Sequence, residues 1–366
     1  LDAAPILQLP GMPGSAQAFP VRETLADDHG HDLDIHQCSA CGLVQLPGRP
    51  VPYYREVIRA AAYSPEMREF RQGQFEQWTA QYGLAQAPVL EVGCGRGEYL
   101  TLLREAGMAA SGIEYSPSNL KACRAAGLPV SRHFLARPDS RLAGAPFAAF
   151  ACFNFMEHWP APVATLKAIG NNLRPDGIGF VEVPNFDMIL AKALYSEFIS
   201  DHLSYFTADT LRFTLHLAGF DVLDCQPVWQ DYILSAVVRK RPALDVAALT
   251  DRAAKMRRQL HDFIGHFPDG QVAVWGAGHQ ALATIALSGI GPRLRYVVDS
   301  AAFKQGKYTP ATHLPIVAPE HLAHTPVSAV IVMAAAYSDE VARQIRSRFS
   351  PTLEVRILRD DCLEAA

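Results

Sequence analysis

Residues 89–100 run from an apolar stretch straight into three alternating glycines and then into a helical pattern. Gly93, Gly95 and Gly97 let the chain turn tightly, and let a ligand lie against backbone without meeting a side chain. Glu91 stands inside the apolar stretch, where a carboxylate requires donors. Glu114, followed by Tyr115, closes the next apolar run, where an acid can accept both hydroxyls of a ribose. Turn and acid together predict a nucleoside-type ligand. Residues 271–281 repeat the plan, with Gly276 and Gly278 in the turn and Asp299 ending the following strand. Read alone, that is a Gly-x-Gly-x-x-Ala dinucleotide fingerprint, and it would imply a nicotinamide-dependent oxidoreductase. Cys38 and Cys41 form a zinc-knuckle half, because two thiolates on a tight turn supply two corners of a tetrahedral site. Four ligands are needed, and His29, His31 and His36 are the nearby candidates. No open catalytic constellation accompanies the pair, so a zinc ion here is expected to be structural.

The elements that must position these residues follow from the apolar pattern. A length of 366 residues predicts two to three domains at ~150 residues each. Hydrophobic residues at 49% and charged residues at 19% describe a globular chain with ample surface to bury. Lys and Arg number 33 against 37 Asp and Glu, a formal charge of −4, which argues against a broad nucleic-acid footprint. No run approaches the ~20 apolar residues of a membrane span. Leu1 to Pro5 lack the order of a signal peptide, and the chain has no initiator Met, so a trimmed N-terminus is expected. The seven Cys are scattered, which predicts reduced thiols and a cytoplasmic protein.

Three blocks are expected: residues 1–52, poor in core-forming residues; 53–242, with leading helices; and 243–366, opened by a linker helix over 243–267. Within the second block strands are predicted at 88–93, 110–115, 129–134, 148–154 and 178–183, with helices after Gly97, Ser116 and Pro160. Such alternation argues for an α/β fold, a doubly wound parallel sheet covered on both faces. Strands 220–225 and 231–239 are expected to close it as an antiparallel hairpin. The third block alternates again, with strands at 271–275, 294–298, 328–333 and 353–358.

Leu90 to Gly97 resemble motif I of class I S-adenosylmethionine (SAM) methyltransferases, and Glu114 matches that family's ribose-binding acid. Asn154 to Trp159 resemble its N-x-x-E-H segment, which implies that Asn154 and Glu157 border the methionine end of SAM. The order of the three blocks is similar to that of the sugar C-methyltransferases, with an N-terminal zinc-binding domain, a class I methyltransferase domain and a C-terminal Rossmann-like domain. In that family an earlier Cys pair completes the zinc site, and it would fall before Leu1. The segment Asp201-His202 resembles the Glu-His pair that carries the family's general base, so the resemblance implies His202 as base with Asp201 beside it.

Ile199 departs from the aromatic hydroxyl expected just before that His, and residues 56–64 lack the expected Tyr-rich pattern. Arg59, Tyr63, Asn185, Gly276, Gly278, Asp299, Lys304, Tyr308 and His313 are the implied contacts for a small-molecule substrate, a nucleotide-linked keto sugar. The reading is then SAM-dependent C-methylation. The alternatives are N- or O-methylation of another small molecule, the oxidoreductase, and a binding module that keeps SAM without turnover. Neither a nucleic acid nor a membrane is expected as partner, and oligomeric state is not readable.

Overall fold

The structure is a computed structural model that describes residues 4–56, 64–360 and 362–366. The chain divides into two compact units, Leu1–Ala243 and Leu244–Ala366. The first opens with β1 (Leu7–Met12), β2 (His31–Gln37), β3 (Val44–Gln45) and α1 (Pro65–Tyr82). The alternating part follows as β4 (Pro88–Val92), α2 (Glu98–Glu105), β5 (Ala109–Glu114), α3 (Pro117–Ala125), β6 (Val130–Arg132), β7 (Phe147–Phe153), α4 (Pro162–Asn171) and β8 (Leu173–Pro184). It ends with α5 (Phe186–Ala191), β9 (Ser204–Tyr205), α6 (Ala208–Leu217), β10 (Phe220–Val228) and β11 (Ile233–Lys240).

Seven of these strands form one sheet in the order β10-β11-β8-β7-β4-β5-β6. The strands β4 to β8 pair in parallel, whereas β11 runs antiparallel to both β8 and β10. The expected closing hairpin is therefore present. Chain order reverses between β4 and β7, so their C-terminal ends flank a crevice of the kind that binds ligands in open α/β sheets. Separate apolar clusters fill the two faces, one around Phe150, Leu166 and Phe220, the other around Phe75, Leu100 and Phe153.

Ser64 caps α1 by accepting from the Met67 N–H, Pro65 fills the first turn, and Gly83 ends the helix in the left-handed region at φ 64°. The helix lays Phe75 and Trp78 on the sheet. It also buries Arg71 completely against Glu182 of β8, with Arg71 Nη1 2.6 Å from Glu182 Oε1.

Residues 4–52 do not stand as a body of their own. Their strands join a small sheet in the order β1-β2-β3-β9, whose last member comes from 204–205. The reason is the shortage of core expected from the sequence: Leu33, Ile35 and Val44 complete their burial only against Phe186, Ile189, Phe198 and Tyr205.

The second unit contains α7 (Ala247–Gly265), β12 (Val272–Trp275), α8 (His279–Ser288), β13 (Leu294–Val298), β14 (Ile316–Val317), α9 (His321–His324), β15 (Ala329–Val332), α10 (Ser338–Arg348), β16 (Glu354–Leu358) and β17 (Leu363–Ala365). Its sheet runs β14-β13-β12-β15-β16-β17 and is parallel except for the edge strand β17. The short edge strands β14 and β17 were not legible in the apolar pattern. Among the described residues no helix is long and apolar enough to cross a membrane.

Removing one partner of a buried ion pair strands the other charge, at a cost of ~3–5 kcal/mol. Glu182→Gln is therefore expected to lower the unfolding free energy of the full chain by about that amount in urea titrations. A loss below ~1 kcal/mol would mean that Arg71 finds other partners.

Candidate functional site

The glycine turn lies at the C-terminal end of β4, and all three glycines have positive φ: Gly93 73°, Gly95 56° and Gly97 89°. Their reasons differ. A Cβ on Gly93 would stand 2.4 Å from Phe155, and one on Gly97 2.3 Å from Leu128, so both positions are closed by packing. A Cβ on Gly95 meets nothing nearer than 3.9 Å and would point into open space, the space a ligand needs.

Glu114 ties this turn to the end of β5. Its Oε2 accepts from the Gly95 N–H at 2.8 Å, and its Oε1 accepts from the Tyr115 and Ser116 N–H groups at 2.7 and 2.8 Å. Burial nevertheless pushes the carboxyl above its usual range, against the pull of those N–H donors. The crevice beside it is lined by Gly93, Glu114, Tyr115, Phe134, Phe155 and Trp159, with Arg55 at its side. The Arg55 guanidinium lies 5.5 Å from the Tyr115 ring and 5.4 Å from the Phe134 ring. Glu91 is fully buried within β4 and does not reach this crevice. Asn154 takes a left-handed φ of 49° just after β7, with its N–H donating to the Glu182 carbonyl.

A second cluster forms where the turn at Met156–His158 meets the segment before β9. The Leu203 N–H donates to the Glu157 carbonyl at 2.9 Å, which fixes the two backbones side by side. His158 Nδ1 lies 2.8 Å from the Asp201 carbonyl, and the His158 and His202 rings are 4.8 Å apart. Glu157 Oε1 stands 3.8 Å from His158 Nε2. Burial pushes the His158 imidazole down to about 4, and burial together with the neighbouring His158 pushes His202 down to about 3. Both rings are thus held neutral.

The Asp201 carboxylate points away from His202. Its Oδ1 accepts from the Tyr53 hydroxyl at 2.7 Å and its Oδ2 from the Ala16 N–H at 2.9 Å, and Ser15 Oγ is also bonded to Tyr53. Ile199, where an aromatic hydroxyl was expected, instead bonds through its backbone to the Tyr205 hydroxyl. Tyr53, Arg55 and His158 are the residues of these clusters that the sequence reading did not assign. The pair Tyr53-Tyr54 lies just upstream of residues 56–64, and His158 follows Glu157 within the N-x-x-E-H segment.

Other expected residues stand elsewhere. Arg59 and Tyr63 lie outside the described residues. Asn185 caps α5 through Oδ1 and donates to the Asp231 carbonyl, so its amide holds the chain. In the second unit the Asp299 carboxylate accepts from the Ala277 and Ala301 N–H groups and from Lys304 Nζ, each at 2.8 Å. Burial works to raise its carboxyl, but Lys304 and these N–H groups outweigh it and hold it low. Gly276 is required because a Cβ would stand 2.5 Å from the Met333 carbonyl, whereas Gly278 faces open space. Tyr308 is exposed, and His313 has φ 53°.

Cys38 and Cys41 occupy the turn between β2 and β3, where the N–H groups of Cys41 and Ala40 draw the Cys38 thiol below its usual value. Among the described residues no third His, Cys, Asp or Glu joins the pair, and His29, His31 and His36 do not complete it. The pair thus supplies two of the four ligands of a structural zinc site, the incomplete set expected from the sequence.

Two family models match the chain, a methyltransferase domain over residues 67–224 and a C-methyltransferase C-terminal domain over 244–351. The C-methyltransferase NovU of Streptomyces niveus is 25% identical over 358 residues, covering 86% of this chain and 84% of that protein. The ubiquinone biosynthesis O-methyltransferase of Xylella fastidiosa (strain 9a5c) is 35% identical over 107 residues, 28% of this chain and 44% of its own length. A solved SAM-dependent methyltransferase from Clostridium acetobutylicum aligns with TM-score 0.40 and 13% identity, covering 52% of this chain and 96% of that one. With methyltransferase matches on both units, the chain is a SAM-dependent methyltransferase, and the oxidoreductase reading of the second glycine turn falls away.

The residues present fit SAM: a backbone turn with open space over Gly95, and an acid beside it whose carboxyl burial raises. Glu114→Ala is expected to weaken SAM binding by ~1–3 kcal/mol, the usual loss for a charged hydrogen-bond acceptor. Isothermal titration measures it, and unchanged affinity would remove Glu114 from the ribose contact.

Proposed function

We propose that the protein methylates carbon in a small nucleotide-linked keto sugar, with His202 as the general base. The observation that carries this reading is the joint presence, in one chain, of a methyltransferase match over 67–224 and a C-methyltransferase C-terminal match over 244–351. The coarse similarity to NovU along most of both chains supports it.

SAM, when bound, supplies an electrophilic methyl group, so the protein must hold the acceptor and generate a nucleophile. Carbon beside a ketone becomes nucleophilic once its proton leaves. His202 would receive that proton: its imidazole is neutral, the form that can accept, while the same burial that lowers it to about 3 makes it a weaker base than a free histidine. The C–H electron pair would then form an enolate, the carbon nucleophile to which SAM, held at the glycine turn, would supply its methyl group. His158, anchored through Nδ1 to the Asp201 carbonyl, keeps its neighbour's ring in place. The Tyr53–Asp201 bond holds the segment carrying His202 against the N-terminal strands. Gly93, Gly95 and Gly97 form the cofactor turn, with Glu114 at the ribose and Asn154 and Glu157 towards the methionine end. Gly278, Asp299, Lys304, Tyr308 and His313 are assigned to the nucleotide part of the substrate, with the whole reaction in the cytoplasm. The zinc-knuckle half at Cys38 and Cys41 has a structural role at most.

A second reading is methyl transfer to oxygen, favoured by the 35% identity to the ubiquinone biosynthesis O-methyltransferase and by the apolar Ile199. An acidic hydroxyl needs little help from a base, so the two readings differ in their dependence on His202.

General-base removal costs ~100- to 10,000-fold in rate. His202→Ala is expected to lower single-turnover methylation of a nucleotide-linked keto sugar by that factor while SAM affinity stays nearly constant. A drop under ~10-fold, or a methyl group found on oxygen by NMR of the product, would move the conclusion to O-methylation. The pH profile adds a check. A base held at about 3 stays neutral as pH falls, so activity should persist well below the ordinary histidine value before declining.

A further inference from the structure

We propose that Glu157, His158 and His202 form a binding site for one divalent transition-metal ion of the zinc class. One carboxylate oxygen and two imidazole nitrogens, one ligand atom per residue, all lie within 4.8 Å of one another. Glu157 and His158 are buried and His202 is half-buried, so the donors converge inside the protein and not on a solvated surface.

The site is held together by contacts that do not involve the ion. The backbone bond from Leu203 N–H to the Glu157 carbonyl locks the two segments in register. The contact between His158 Nδ1 and the Asp201 carbonyl requires that nitrogen to carry the proton, because a carbonyl can only accept. The lone pair of His158 therefore sits on Nε2, the atom that stands 3.8 Å from Glu157 Oε1. A ligating histidine whose other ring nitrogen donates to a backbone carbonyl is the usual second-shell arrangement of metal sites. Around a tetrahedral ion with bonds of ~2.0–2.1 Å, donors sit roughly 3.4 Å apart. The present spread, within 4.8 Å, is wider than that, so ion binding would draw the three side chains inward.

A two-imidazole, one-carboxylate set suits zinc, cobalt or nickel, whereas magnesium and calcium prefer oxygen donors. Three protein ligands leave at least one coordination position open for water or a substrate oxygen. The ion and an abstracted proton compete for the same His202 lone pair, so the loaded site and the base-competent site are alternative states.

Cobalt(II) titration of the full chain, stripped of metal and free of SAM and acceptor, tests the site. One equivalent of Co2+ is expected to raise the visible d–d bands of nitrogen and oxygen coordination without a thiolate charge-transfer band, and Zn2+ should displace it. Glu157→Gln and His158→Gln should each weaken Co2+ binding by at least about 10-fold. The double substitution Cys38→Ser with Cys41→Ser should leave the bands unchanged. If circular dichroism shows His158→Gln to be unfolded, Glu157→Gln, which keeps size and shape, carries the comparison. Absence of the bands at excess Co2+, undiminished binding in Glu157→Gln, or loss of binding in the double cysteine variant would overturn the proposal. Binding is read without turnover. A failed titration therefore leaves the role of His202 as base to its own test, and undiminished turnover in His202→Ala leaves the titration standing.

Discussion

The Glu114 carboxylate is the joint on which the cofactor side of the structure depends. Three backbone N–H groups converge on it, one from the glycine turn and two from the chain leaving β5. Without that acid the Gly95 N–H would need another acceptor, and the turn after β4 would lose its tie to the neighbouring strand. Charge-assisted bonds of this kind contribute about 1.5–3 kcal/mol each. Burial still outweighs them, because the carboxyl is raised above its usual range. Desolvation is therefore the dominant influence on the group. Two ribose hydroxyls would add donors to it, and the interaction that shapes the empty turn is also the one a nucleoside would complete.

The acceptor side is built differently. Its functional groups come from distant stretches, near residues 15, 53, 157 and 201, and no single motif contains them. What assembles them is poverty of core. The first fifty residues cannot bury Leu33, Ile35 and Val44 alone, so they add β9 to their sheet and lean on Phe186, Phe198 and Tyr205. Docking there brings Ser15, Ala16 and Tyr53 onto Asp201. Asp201 is turned towards the N-terminal strands as a consequence, and His202 is left facing His158.

That contrast explains what the sequence could and could not disclose. The cofactor turn was legible because local rules govern it: a buried strand, glycines that must take positive φ, and an acid at the end of the next strand. The sheet of the first unit was legible for the same reason, since each strand–helix step has its own apolar period and opening, such as Ser116-Pro117 before α3. Tyr53 was not legible, nor were the partners of Arg55 and His158, because their significance lies in contacts across more than forty residues of chain. For Asn185, assigned to substrate by position, the sequence did not disclose that its amide also caps a helix. The edge strands β14 and β17, of two and three residues, are too short to show any period.

The second glycine turn sharpens the point, because it uses the same device with a different outcome. Asp299 answers the Ala277 N–H as Glu114 answers that of Gly95. Asp299, however, also holds the Lys304 ammonium, and its carboxyl is drawn below the usual range where that of Glu114 is raised. Lys304 thus joins the backbone donors on Asp299, and the nucleotide part of a substrate would meet a carboxylate already paired with an ammonium. Gly276 likewise serves a close approach to the Met333 carbonyl, whereas Gly278 in the same turn faces open space. A strand–glycine–acid pattern therefore specifies a way of closing a βα turn, and whether the turn also binds a nucleoside is decided by what else reaches the acid. At Glu114 backbone N–H groups reach the acid, and at Asp299 a lysine joins them.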